Sequence, residues 1–410
     1  MAASRDETVS VPRRHPDAPR AVPGLRPVAL MLGLGKPSPA QWRELGEALV
    51  VGDAPMDELV DWMYAEGMDR TRPLFEQALA HGIDTVPEAP EPLRAFFVRV
   101  ETPPPWLDRE QLARAEMVFR QGGSDGLYVA RDVSFLGGYL ASGFNKTLLR
   151  TGALEKGPGK RFAETLQWAL DVTSDDGMAP LGRGYHATIH VRLIHGLVRR
   201  HVAQLPDWQA QEWGLPINQT DMAATLVGAL IAPFLGSLGM GLLVPPRDLA
   251  AAAHLARYVG WLIGVEDRFL PNDFRDSVRV LYHCMTAITN PDETTRQLAI
   301  PMADDPLNWH YPNFPRLRGR IARSQHLSIA AMFLGSSGMR HLGLPPHVLP
   351  WYPLLRLPVN LVRSLAVRLP GGAQRAARAG RRRQEEFLTK LIGTESAVIG
   401  DSARHIASAA

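Results

Sequence analysis

The 410-residue chain contains one cysteine, Cys284, and this scarcity excludes several classes of site. An internal disulfide, a zinc site with several cysteines and an iron–sulfur cluster held within the chain all need more than one thiol. A metal site here must therefore use histidine, aspartate, glutamate or that one thiolate. Cys284 itself lies in an apolar stretch, so we expect it to be a buried core residue.

The middle of the chain carries little net charge. Residues 1–27 hold five arginines against three acids, and residues 371–410 hold seven basic residues against four acids, so the two ends carry the positive excess and the middle of the chain is slightly negative. An enzyme that acts on nucleic acid usually carries a basic face on its core domain, so we expect no nucleic-acid substrate. The five arginines within 375–383 predict either a solvated helix end or a weak contact with an anionic membrane.

Residues 1–27 lack the apolar segment of a signal peptide and contain five prolines. They predict a disordered leader. They also predict a cytoplasmic protein, with peripheral membrane association as the alternative location. The one long uncharged run is Met222–Val244. By length it could cross a bilayer, but four glycines, Pro233 and missing flanking aromatics favour a helix buried inside a bundle.

Regular strand patterns are also scarce, and the sequence reads as helices separated by glycine and proline. Ser38-Pro39, Asp221, Asp248 and Asp273 are expected helix starts. We predict an all-α fold with one helical domain over residues 28–370, followed by a basic helical tail over 371–410. The main predicted helices are 56–66, 107–121, 128–149, 160–172, 183–203, 221–243, 248–265, 273–289 and 317–342.

Common catalytic signatures are absent, and the chemically dense segment is Gly184–Gln204, which contains four histidines. Residues three and four apart share a helix face, so Arg192, His195 and Arg199 line up on one side. Two nearby cations disfavour protonation of an imidazole, and a neutral imidazole is what a metal requires. Buried arginines in turn need anionic partners, which are either protein carboxylates or the carboxylates of a bound cofactor. A hydrogen-bonded core histidine is the alternative interpretation.

A second metal hypothesis uses His186 and His190, four residues apart on one face. That spacing suits zinc or non-haem iron, with a third ligand from Glu164 or Asp176.

The string Arg192-Leu-Ile-His195-Gly-Leu-Val-Arg199 resembles the R-L-x-H-x-x-x-R signature of the latex clearing protein family of bacterial haem b rubber oxygenases. This superfamily also contains a fungal oxygenase of mycophenolic acid biosynthesis. Further similar segments are 160–165 (KRFAET, against R-x-x-K-T or R-x-x-E-T), 213–221 (WGLPINQTD), 258–265 (YVGWLIGV) and 342–345 (LGLP). The resemblance covers about residues 90–360.

The resemblance implies a globin-related helical bundle that encloses haem b and activates O2 on a small apolar or unsaturated substrate. It implies His195 as the axial iron ligand, with its other ring nitrogen donating to a carbonyl or carboxylate. Arg192 and Arg199 would contact the haem propionates, and Arg161, Glu164 and Thr165 would form the catalytic side. Met222–Val244 then becomes a wall of the pocket, its glycines allowing close approach.

The sequence departs from the rubber-cleaving pattern at Glu164, where those members have lysine. The family's catalytic glutamate also has no clear match in the region 144–147 (FNKT). Cleavage of polyisoprene is therefore disfavoured, and a prenylated or lipid-like substrate fits better. The alternative function is a helical protein of the same fold that binds a lipid or a partner and performs no redox chemistry.

Overall fold

Helices form the regular structure of the computed structural model, which describes residues 10–152, 157–395 and 397–399. No β-strand occurs in those ranges, so the all-α prediction is confirmed. The helices are α1 Arg26–Met31, α2 Pro39–Glu47, α3 Ala54–Glu66, α4 Met68–His81, α5 Glu91–Glu101, α6 Arg109–Gln121, α7 Gly123–Val129, α8 Leu136–Gly138, α9 Ser142–Arg150, α10 Pro158–Val172, α11 Arg183–Ala203, α12 Ala210–Trp213, α13 Gln219–Leu230, α14 Ala232–Gly239, α15 Pro246–Ile263, α16 Phe274–Ile288, α17 Glu293–Asp304, α18 Pro315–His341, α19 Trp351–Val367 and α20 Gly372–Ile392. A π-helix, Ala130–Phe135, joins α7 to α8.

Side-chain caps explain several helix starts. Ser38 accepts a hydrogen bond from the backbone of Gln41, whose side chain accepts one in return, and Pro39 occupies the first turn of α2. Asp273 caps α16 as predicted, since its side chain accepts a hydrogen bond from the backbone amide of Asp276. The cap of α13 is Asn218, whose side chain accepts from the amide of Asp221, so the start predicted at Asp221 is three residues late.

The long helix α11 has the predicted bounds and forms an antiparallel hairpin with α10. Asp171 pairs with Arg183 at the closed end, with 2.6 Å between carboxylate and guanidinium. Three residues further back along α10, the indole Nε1 of Trp168 donates to Thr188 Oγ1 over 3.1 Å. These contacts fix the register of the two helices that carry most of the predicted site residues.

The uncharged run Met222–Val244 is divided into α13 and α14 at Ile231, just before Pro233. The segment Gln219–Gly239 is long and apolar enough to cross a membrane, and 56% of its most apolar window is buried inside the protein. A Cβ at Gly236 would clash with Val129, so this glycine permits the close approach of α14 and α7. Both features favour the prediction of a core helix.

Residues 10–27 differ from the predicted disordered leader, of which residues 1–9 lie outside the described ranges. Arg14 is buried and forms a two-pronged ion pair with Asp221, with separations of 2.6 and 3.1 Å. The backbone amide of Arg20 donates to the carbonyl of Thr286 on α16. Residues 10–25 lie outside the helices, since α1 begins at Arg26, but this stretch still docks because its arginines have buried or carbonyl partners.

The C-terminal helix α20 packs against α6 and α7 along much of its length. Gly380 lies so close to the carbonyl of Arg120 that a Cβ would clash with it. Arg381 donates to the carbonyl of Thr173 over 2.5 Å. The segment from residue 371 is therefore helical as predicted, but it is an integral layer of the bundle rather than a tail.

Two large apolar clusters form most of the core of the described residues, and three small ones add to it. The larger one joins α3, α4, α5, α11, α13, α15 and α16. The smaller one joins α10, α17, α18 and α20 with the short helix α8. Helix α10 contributes side chains to both clusters and packs against α11, which belongs to the larger one. The π-helix borders α13, α14 and α18. The predicted site residues thus lie on two helices that pack against each other, one of which joins the two clusters.

Candidate functional site

His195 lies in the middle of α11, enclosed by protein. Its Nδ1 atom is buried and has no hydrogen-bond partner, although the ring as a whole keeps some accessible surface. Burial, aided by the charge of Arg199 and opposed by Asp53, lowers the pKa of this imidazole to about 4. The ring is therefore neutral at physiological pH, as a metal ligand must be.

The carbonyl or carboxylate partner expected for the second ring nitrogen of His195 is not present at Nδ1. The nearby acid is Asp53, whose two oxygens accept from Nε and Nη2 of Arg192 over 2.6 and 2.7 Å. Because Arg192 occupies that carboxylate, the imidazole is left without it. Nη1 of Arg192 donates to the carbonyl of Leu262, and the guanidinium lies 5.1 Å from the ring centre of Phe96.

Arg199 is held in a similar way two turns after Arg192 on α11. Its Nε donates to Asp57 Oδ1 over 2.8 Å and its Nη1 donates to the carbonyl of Ile217 over 2.7 Å. Burial raises the pKa of Asp57, against the lowering effect of Arg199. Both arginines thus have protein carboxylates as partners, which was the alternative to haem propionates. They fasten α11 to α3 rather than extending into free space.

Glycines make this close packing possible. A Cβ at Gly196, next to His195, would lie 2.8 Å from Met56 Cγ on α3. Gly264 ends α15 in the left-handed conformation with φ +92°, and a Cβ there would collide with the Arg192–Asp53 pair. The turn of α11 that carries His195 is therefore clamped on two sides.

The lowered pKa of His195 predicts a pH dependence of apoprotein stability. Between about pH 6.5 and about pH 4 the unfolded chain binds a proton that the folded chain does not, so the free energy of unfolding decreases as pH falls through this window. One such group contributes a slope of at most about 1.4 kcal/mol per pH unit. We expect His195→Gln to lose this part of the slope in urea unfolding. Equal slopes for the variant and the wild type would contradict the prediction, since all other histidines are common to both.

Helix α10 carries the three predicted catalytic residues. Glu164 is buried, and the pKa of Arg161 is lowered by burial against the raising effects of Tyr139 and Glu164. Thr165 donates its hydroxyl to the carbonyl of Arg161 within the helix, so that proton is already engaged. The structure therefore brings Arg161 and Glu164 together, beside Tyr139, and gives Thr165 a backbone partner. The antiparallel register directs this end of α10 toward the turn of α11 that contains His195.

A buried charged network next to Arg161 was not anticipated from the sequence. Tyr139 lies in the electrostatic field of both Arg161 and Arg131. Arg131 and Asp132, both fully buried on the π-helix, form an ion pair of 2.7 Å, and Asp132 also contacts Nδ1 of His326 over 2.6 Å. π-Helices are frequent at functional sites, so the π-helix between α7 and α8 marks this network as a candidate part of the site.

Asn145 lies in the region 144–147, which has no clear match to the family's catalytic glutamate, and its side chain is fully buried. Its Nδ2 donates to the carbonyl of Tyr139 over 2.7 Å, and its Oδ1 is buried without a partner. The neighbouring Lys146 pairs instead with Asp292 over 2.7 Å, at the rim. An uncharged amide therefore occupies the interior at this point.

The hypothesis of a metal held by His186 and His190 gains no ligand set. Within the described ranges no three His, Cys, Asp or Glu side chains are grouped closely enough to hold an ion. His190 lies 3.9 Å from Glu76 of α4 instead. Cys284 is buried, and burial raises the pKa of its thiol to about 12, which fits the predicted core role.

One strip of α13 faces solvent. A Cβ placed on Gly228 would meet no atom within 4 Å. Thr225 is exposed, although its neighbours Ala224 and Leu226 are buried. The expectation that Met222–Val244 forms a wall of the pocket stays a prediction.

Comparison with known families decides the relationship. The family described as "ER-bound oxygenase mpaB/B'/Rubber oxygenase, catalytic domain" matches residues 120–366, more than half of the chain. The chain belongs to this family. The match includes α10 and α11, with Arg161, Glu164, Thr165 and His195.

Two known proteins, one similar in sequence and one in structure, give further comparisons for this chain. The rubber oxygenase of Streptomyces sp. (strain K30) is 24% identical over 201 residues, which are 48% of this chain and 47% of the relative. The chain thus matches less than half the length of that curated protein. The structure of latex clearing protein LCP in the closed state aligns with a TM-score of 0.64 and 18% identity, covering 82% of this chain and 91% of that one. The fold is therefore the one seen in latex clearing protein, and the chain carries an oxygenase catalytic domain.

Proposed function

We propose that this oxygenase uses haem b, with His195 as its axial ligand, to react O2 with an apolar, unsaturated substrate. The observation that carries the proposal is the isolated His195: a neutral imidazole, enclosed by protein, on a helix fastened to its neighbours. Haem supplies four nitrogen ligands of its own, so one protein ligand suffices where a protein-held ion needs three or more. No three His, Cys, Asp or Glu side chains are grouped in the described residues, and a haem iron would not need such a group.

Haem bound here would supply the chemistry of dioxygen activation. The residues of the chain would position and shield it. The Arg192–Asp53 and Arg199–Asp57 pairs set the rotation of α11, and burial keeps the His195 ring deprotonated. These arginines would act through α11, and a direct propionate contact would require them to give up their carboxylates.

Arg161 and Glu164 are proposed as the buried polar groups that hold or move protons beside the substrate. Their placement on one face of α10 and the field of Glu164 at Arg161 support this assignment. Thr165 would serve the helix through its bond to the Arg161 carbonyl. A glutamate at position 164, in place of the lysine of the rubber-cleaving members, favours a small lipid-like or prenylated substrate over polyisoprene.

The test is an absorption spectrum of the purified protein, as isolated and after reconstitution with haemin, oxidised and dithionite-reduced. We expect a Soret band that shifts on reduction. A colourless protein that folds fully and does not take up haemin would overturn the proposal. That result would favour the alternative, a lipid- or partner-binding protein of the same fold without redox chemistry.

A further inference from the structure

Helix α19 is amphipathic with its polar side turned inward. Its buried side carries Asn360 and Ser364, whose side chains bond to the carbonyls of Met240 and Gly241. The apolar side chains Leu354, Leu355, Val362, Leu365 and, just past the helix end, Leu369 are 54–67% exposed. A helix on the surface of a water-soluble bundle normally shows the opposite arrangement.

Buried ion pairs hold α19 in this orientation. Asp125 of α7 is 1% exposed and accepts hydrogen bonds from Tyr352 over 2.8 Å, Arg356 over 2.7 Å and Arg363 over 3.0 Å. Rotating α19 to bury its leucines would expose these partners and leave Asp125 without them. The exposed apolar face is therefore fixed by the core rather than produced by loose packing.

The apolar surface continues onto the first turns of α18. Trp351 Nε1 donates to Ser324 Oγ over 3.1 Å, which places the start of α19 beside α18. Phe314, Leu317 and Ile321 of that region are 77%, 59% and 50% exposed. We call the exposed apolar residues of α19 and α18 together the α18–α19 face.

The chain segment that carries this face is rich in arginine. Residues 306–384 contain 13 arginines and no aspartate, glutamate or lysine. Arg316, Arg318 and Arg320 are exposed among the apolar residues of α18, and Arg368 is exposed at the end of α19. The carboxylate of Asp304 pairs with Arg323 of α18, and the four exposed arginines lie outside that pair. Leucines beside exposed arginines match the acyl and phosphate layers of an anionic bilayer.

We propose that the α18–α19 face docks on the surface of an anionic lipid bilayer. The helix lies in the interface rather than across it, since α19 has 17 residues and carries two inward arginines. A second copy of the chain is a poorer occupant because a two-fold contact would bring the arginines of both copies together. The cations predicted at 375–383 would then add attraction from the adjoining helix α20, not form the contact themselves.

Vesicle flotation of the full-length protein tests this proposal, independently of any bound cofactor. We expect binding to phosphatidylcholine vesicles containing phosphatidylglycerol, weaker binding to phosphatidylcholine alone, and weakening by salt. Val362→Ser/Leu365→Ser should lower the partition coefficient at least about tenfold, since both side chains leave the acyl layer. Arg316→Gln/Arg318→Gln/Arg320→Gln should reduce the preference for the anionic vesicles.

The matched control is Val98→Ser/Leu181→Ser, which changes two apolar residues of 48% and 44% exposure outside this face. It should bind like the wild type. The proposal is overturned if the wild type binds neither vesicle, or if Val362→Ser/Leu365→Ser binds as well as the control. It is also overturned if light scattering finds a wild-type dimer that Val362→Ser/Leu365→Ser converts to a monomer, because the occupant is then a second copy.

Discussion

His195→Ala is expected to remove the Soret band while leaving the fold intact. The imidazole is the neutral nitrogen ligand presented by the clamped turn of α11, and an alanine offers iron no donor atom. We expect haem content after reconstitution to fall at least about tenfold, the change that about 1.4 kcal/mol of lost binding produces. Haem titration, with far-ultraviolet circular dichroism as the check on folding, measures it.

A matched control and a rescue make this result specific. His190→Ala removes a histidine from the same helix, one that lies toward Glu76 of α4, and should leave the band unchanged. In His195→Gly the space of the missing ring is open, so added imidazole should restore the reduced-state spectrum. If His195→Ala kept the full Soret band of the wild type, His195 would be excluded as the ligand.

The sequence was a good guide where the signal is local. Arg183–Ala203 and the cap at Asp273 follow from periodicity and capping, which act within one or two turns. The position of His195 between two arginines is equally local. That is why the helix with the candidate ligand could be selected before its surroundings were known.

Partners distant in sequence could not be selected in that way. Arg192 lies 139 residues from Asp53, and no pattern around either residue encodes their pairing. The docking of residues 10–27 has the same origin, since proline content predicts the absence of a helix but says nothing of the ion pair between Arg14 and Asp221. Periodicity alone also gives a helix two faces without stating which one is buried. In α19 the buried face is the polar one, because Asp125 supplies its partners from α7.

Asp53→Ala is expected to have the largest effect on stability. It would leave the guanidinium of Arg192, itself 3% exposed, buried without its carboxylate. Breaking a buried ion pair from one side costs about 3–5 kcal/mol. The side chain of Asp53 forms no capping bond to α3, so a lost helix cap does not contribute. Urea unfolding of the apoprotein, with the wild-type slope for comparison, measures the change.

A second pair between the same two helices provides the control. Arg200 and Asp61 also join α11 to α3, but their side chains are 32% and 65% exposed, and exposed pairs contribute about 1 kcal/mol or less. Asp61→Ala should therefore be nearly neutral. Replacing both members of the buried pair, as Asp53→Leu/Arg192→Met, should recover most of the stability because no charge is then left unpaired. If the double variant were as unstable as Asp53→Ala, the cost would lie in packing around α3 rather than in the uncompensated charge of Arg192.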